Sequence, residues 1–151
     1  MTDKKGTIIT FILSIIVVVV AGFLGITFGG YFKSNKVVAN GIVINSTDTT
    51  PTLLKSYTEY NELLKKYKVN DTILLTNNSF NENDYIVDFI DYNKDLEIKD
   101  INVEITDEGL NINYILNKEI KESKEKLMYF IPIEKNLINE VKVTDRQFSV
   151  K

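Results

Sequence analysis

The sequence predicts an α+β domain, one helix packed on an antiparallel sheet, carried behind a single transmembrane helix. Three observations predict it. Gly6 to Phe32 holds no charged residue. Ser56 and Glu59 open a stretch of helical period, S-x-x-E followed by apolar residues on one face. After Asn70 the apolar period shortens to two, with Asp107-Glu108-Gly109 between two alternating segments.

The N-terminal run comes first. Thr7 to Phe28 is almost continuously apolar. At about 1.5 Å per residue it would make a helix of roughly 33 Å, enough to cross a hydrocarbon layer of about 30 Å once. A secretory signal has a shorter apolar core, about 7–15 residues, so an uncleaved anchor is expected. Lys4, Lys5 and the α-amino group precede the run, and Lys33 and Lys36 follow it. Basic flanks stay on the cytoplasmic side, which favours a cytoplasmic N-terminus and an exported C-terminal part. The expected organisation is a tail at 1–6, the span at 7–30, a juxtamembrane segment and linker at 31–52, and the extracytoplasmic domain at 53–151. Ala21, Gly25 and Gly29 recur every four residues, a small-residue face of the kind through which membrane helices dimerise.

Composition excludes several classes. The first 32 residues hold two of the 18 basic and one of the 21 acidic residues, leaving the rest at a net charge of −4. Arg146 is the one arginine, and no basic patch with interleaved aromatics suggests a nucleic-acid surface. There is no histidine and no cysteine, which removes disulfides, thiol nucleophiles, histidine bases and the usual zinc ligands. The richness in Ile, Asn and Lys reads as the codon bias of an AT-rich, low-GC bacterial genome.

In the linker, Val37-Val38 and Ile42 to Ile44 suggest a short strand around Gly41, before a Ser/Thr/Asn/Pro-rich run that favours turns. The helix is expected over Ser56 to Lys68. Tyr57, Tyr60, Leu63, Leu64 and Tyr67 fall within about 120° of its circle and are expected to face the core. Strands are expected at Thr72–Thr76, Tyr85–Ile90, Ile98–Thr106, Leu110–Leu116, Leu127–Ile133 and Ile138–Thr144, with Phe148 and Val150 in a short last one. Tyr85–Ile90 is apolar on both faces apart from Asp88, as a central strand would be. Pro132 has no N–H for a ladder and marks an edge, a bulge or a strand's end.

Few residues resemble chemistry. Asp91, Asn93 and Asp95 form D-x-N-x-D, the opening of a calcium loop. Its sixth and twelfth positions are Leu96 and Asn102 instead of Gly and Glu, so a turn is expected. Ser123 and Lys126 match S-x-x-K, but S-D-N and K-T-G are absent and the stretch is highly charged, so no catalysis is expected there. Asp84 and Asp88 would share a strand face about 13 Å apart, too far for a direct acid–base pair. Asp88 is expected at an edge or surface facing a lysine of a neighbouring strand, the alternative being a buried carboxylate. No catalytic, cofactor or metal-ligating residue is expected.

Four segments carry a family resemblance: Ser56-Tyr57-x-Glu59-Tyr60, then Phe80-x-x-Asn83-Asp84-Tyr85-Ile86-Val87, the Ile101–Leu116 hairpin, and Tyr129-Phe130-Ile131-Pro132-Ile133. Together they resemble the small envelope domains of uncharacterised anchored proteins and lipoproteins of low-GC bacteria. They are also similar to the C-terminal domain of PrcB-like protease-complex subunits. Where that pattern carries Gly-Gly-Tyr, this chain has Asp91-Tyr92-Asn93-Lys94. The resemblance implies an accessory, non-catalytic domain, with no residue role carried over. The expected function is therefore a non-enzymatic, membrane-anchored extracytoplasmic binding or scaffolding protein of the cell envelope. The alternatives are an accessory subunit acting through its transmembrane helix, and a hydrolase using Ser or Asp.

Overall fold

In the computed structural model the described residues are 37–70 and 73–151. The expected tail, transmembrane helix and dimerisation face at Ala21, Gly25 and Gly29 lie outside them. Among the described residues no helix is long and apolar enough to cross a membrane.

The described residues build three layers around two cores. The middle layer is a five-stranded antiparallel sheet. It contains β1 (Val37–Val38), β2 (Gly41–Asn45), β3 (Thr52–Leu54), β4 (Asn83–Asp91) and β7 (Glu125–Glu134), in the order β1-β2-β7-β4-β3. Successive strand residues point to opposite faces, and both faces here are apolar. Ile42, Ile44, Tyr85, Val87, Phe89, Met128 and Phe130 enter one core. Val43, Ile86, Ile90, Leu127, Tyr129, Ile131 and Ile133 enter the other. β4 lies inside the sheet, between β7 and the short β3, in keeping with its doubly apolar sequence.

Helix α1 (Tyr57–Lys66) covers the first face. Ser56 is its N-cap and accepts from the Glu59 amide. The Glu59 carboxylate reaches one residue beyond the capping-box pattern, accepting from the Lys55 amide at 2.6 Å. Tyr60, Leu63 and Leu64 are buried, with Tyr57 and Tyr67 half-buried beside them, so the tyrosine stripe faces the core. The Tyr60 hydroxyl accepts from the amides of Leu74 and Leu75, at 3.1 and 3.5 Å. These bonds replace a ladder, and residues 73–76 form no strand, contrary to the expectation for Thr72–Thr76. A 3-10 helix, Asn77–Phe80, then turns Phe80 into the core against Tyr85.

The second face is covered by a separate three-stranded sheet. Its strands are β5 (Ile98–Thr106), β6 (Gly109–Leu116) and β8 (Val143–Val150), with β6 in the middle. The expected hairpin is present, with Thr106 opposite Gly109. Leu110, Ile112, Tyr114 and Leu116 form the buried face of β6. Gly109 has φ of 144°, and a Cβ there would lie 2.3 Å from the Lys142 carbonyl oxygen, so the site tolerates only glycine.

Three expectations are corrected. The α+β class holds, but the strands divide into two sheets, and β8 runs parallel to β6. The strand expected at Ile138–Thr144 begins only at Val143. Ile138 and Val141 pack on the second core from irregular chain instead. The segment read as a linker contains β2, whose Ile42 and Ile44 are buried, so the folded unit starts before residue 53. Pro132 lies on an interior strand yet breaks no ladder. The Phe130 amide, two residues earlier, donates to Asn40 where β2 begins. The Pro132 nitrogen points the same way, past the end of β2.

Candidate functional site

Asp88 occupies the middle of β4 and faces the second sheet, between Ile86 and Ile90. It is fully buried. The expectation of a surface position opposite a lysine is thus overturned. The apolar strand carries Asp88 into the space between the sheets, where its partners are Tyr114 of β6 and Arg146 of β8. The Tyr114 hydroxyl donates to Asp88 Oδ2 at 2.6 Å. Arg146 Nε donates to both oxygens, at 2.9 and 3.2 Å, and Nη2 donates to Oδ1 at 2.7 Å. A carboxylate taken out of water costs several kcal/mol, on the order of the attraction it gains, so such a pair persists only with its lone pairs occupied. Here they are. Burial, and after it the Asp88 charge, pushes the Tyr114 phenol above the ordinary tyrosine range. The hydrogen bonds to Asp88 raise Arg146 further.

Arg146 is one-third exposed and lies at the wall of a cleft of about 310 Å³. Thr49, Phe89, Ile90, Asp91, Ile120, Lys126 and Phe148 complete the lining. Two local structures place these residues. The loop after β2 is tied to the end of α1 by the Asp48–Lys66 ion pair and by the Tyr67 hydroxyl donating to the Asp48 carbonyl, which sets Thr49 beside the cleft. The loop before β7 is bound to the exit of β4 by the residues of the D-x-N-x-D motif. Asp91 accepts from the Ser123 amide and Asn93 from the Lys121 amide, at 3.2 and 2.9 Å. The Asp95 carbonyl accepts from Asn117 Nδ2 at 2.8 Å. The motif is therefore a turn, as expected, and the Asp91 and Asn93 side chains and the Asp95 carbonyl serve as acceptors for the facing loop. Among the described residues no group of His, Cys, Asp or Glu is arranged to hold a metal ion.

The remaining motifs do not converge. Lys126 donates to Asp91, while Ser123 Oγ accepts from the Glu125 amide, so the two S-x-x-K residues turn to different partners. Asp84 is buried at the start of β4. Its Oδ2 accepts from the Asn136 amide at 2.8 Å and holds the turn after β7, while Oδ1 has no hydrogen-bond partner among the described residues.

Sequence reasoning missed Arg146 and Phe148 as site residues. Phe148 stacks on Tyr114 with ring centroids 5.5 Å apart and stays 46% exposed. A signal for Arg146 existed. The lone charge in an apolar strand needs a partner, and a single arginine among 18 basic residues is the natural candidate for a bidentate one. No protein-family model, curated protein or solved structure matches the chain.

Proposed function

We propose that the protein is a non-enzymatic binding or scaffolding component of the cell envelope, anchored by residues 7–30 and presenting residues 37–151 outside the cytoplasmic membrane. One observation carries the reading. The most unusual group in the domain, the buried Asp88, is spent on orienting Arg146 at the wall of an open, partly apolar cleft. A buried carboxylate that holds a cation in place is a positioning device, and preoriented polar groups beside apolar walls are the make-up of a recognition site. The other candidate for chemistry, Ser123 with Lys126, lacks the mutual contact that would activate a nucleophile. The resemblance to envelope accessory domains points the same way.

A second reading follows from the spacing of Ala21, Gly25 and Gly29. In it the transmembrane helix is the functional part, associating with itself or with another subunit, and the domain is an attachment.

Two experiments test the proposal. Protease added to intact protoplasts should remove the domain while sparing a cytoplasmic marker; full protection would put the domain in the cytoplasm. Partner capture from membranes should persist when residues 1–32 are deleted. Capture that follows the anchor and not the domain would favour the second reading.

A further inference from the structure

Resting on that binding reading, we propose that the cleft takes a free carboxylate with an apolar group beside it. The carboxylate sits on the outer edge of the Arg146 guanidinium and the apolar group lies against Phe148.

A guanidinium is a planar fork with five N–H donors and two edges that each match a carboxylate. Asp88 takes the edge formed by Nε and Nη2. The other edge pairs Nη1 with the second N–H of Nη2. Nη1 makes no hydrogen bond among the described residues, and Arg146 is one-third exposed at the cleft wall. Because Asp88 is fixed in the middle of a paired strand, the free edge is fixed too. An anion arriving there loses no binding energy to arranging the arginine.

Charge selects the kind of anion. Arg146 is balanced by Asp88 and Lys126 by Asp91, so the cleft has no surplus of positive charge to draw a phosphate dianion or a polyanion. Directional hydrogen bonding on a free edge suits a singly charged, planar group. The apolar side of the ligand is set by the wall. One face of Phe148 rests on Tyr114, its ring remains half exposed, and Ile120 and Ile90 line the same cleft. At about 310 Å³ the cleft is at the small end of ligand sites, with room for one carboxylate and one side-chain-sized group. A peptide ending in an apolar residue and a free small apolar acid both present this chemistry.

The test uses the full chain in nanodiscs, with empty nanodiscs as the blank, and ligand-observed NMR titrations. N-acetylphenylalanine should bind at least tenfold more tightly than N-acetylphenylalanine amide, and more tightly than inorganic phosphate. Ala-Ala-Phe with a free C-terminus tells the two sources apart. Affinity above that of N-acetylphenylalanine identifies a peptide terminus, and equal affinity identifies a small acid. Arg146→Lys keeps the charge and loses the fork, and should weaken N-acetylphenylalanine binding at least tenfold. Should that variant fail to fold, Phe148→Ala decides, since its ring is half exposed and its removal leaves the core filled. It should weaken N-acetylphenylalanine several-fold and leave acetate unchanged. Equal binding of acid and amide, tighter binding of phosphate, or a folded variant with unaltered affinity would overturn the assignment. If no carboxylate binds while the domain still captures its partner from membranes, the ligand class is wrong and the binding reading stands. If both fail, the binding reading falls as well.

Discussion

Arg146→Ala removes the one cation bonded to a carboxylate that solvent does not reach. Asp88 would keep the Tyr114 hydroxyl at 2.6 Å and lose every hydrogen bond from the guanidinium. Breaking a buried ion pair from one side costs about 3–5 kcal/mol. Arg146 itself is one-third exposed, so water entering the vacated space resolvates part of the carboxylate and the cost falls at the low end, about 3 kcal/mol. For a domain of this size that is roughly 10 °C of Tm. A triple variant, Asp88→Val with Tyr114→Phe and Arg146→Met, leaves no buried charge and no orphaned hydroxyl. It should cost less than the single change, under about 1.5 kcal/mol, because replacing every member of a buried polar set by apolar groups is often close to neutral. Urea denaturation of residues 37–151 followed by circular dichroism measures both. A loss below about 1 kcal/mol for Arg146→Ala, or a triple variant less stable than the single one, would refute the claim that Asp88 lies in a water-excluded pair.

Three further outcomes follow from the fold. Gly109→Ala sets a Cβ against the Lys142 carbonyl at a positive φ and should cost at least about 1–3 kcal/mol, whereas an unchanged urea midpoint would mean that the β7–β8 connection moves away freely. Residues 37–151 should give a cooperative melt, while residues 53–151 should not, since removing β2 exposes Leu127 and Met128 of β7; equal melts would make β2 dispensable. The Tyr114 phenol is raised from its ordinary value of 10.0, so the folded state holds a proton that the unfolded chain releases above that pH. Its contribution is complete below pH 10 and is lost as pH rises beyond it, and Tyr114→Phe should flatten the alkaline limb of a stability–pH profile.

Local signals in the sequence were enough for the helix and the central hairpin. Ser56 and Glu59 mark one end of α1, the apolar positions at 57, 60, 63, 64 and 67 mark its inner face, and β5 and β6 alternate around a turn closed by Gly109. A short strand around Gly41 is legible, but its place in the sheet is not, because β2 is five residues long and runs directly into a Ser/Thr-rich turn. Its burial comes from β7, more than eighty residues away, and no local pattern reports that pairing. β8 was misplaced for a related reason. It is an edge strand whose residues do not alternate cleanly between buried and exposed, while the preceding Ile138 and Val141 are apolar because they pack as irregular chain. The Asp88–Arg146 pair joins residues 58 positions apart, across two sheets whose separation could not be read from strand patterns. Composition alone pointed to it, through one charge in an apolar strand and one arginine in the chain.

The central claim is that the domain meets its partner at the cleft beside β8. Because the chain has no cysteine, single cysteines carrying a photoactivatable label can be placed at Phe148, in the cleft, and at Ile105, which is comparably exposed on β5. Crosslinking in intact cells should give a discrete adduct from the label at 148 and none from the label at 105. Adducts from 105 alone, or the same adducts from both positions, would contradict it.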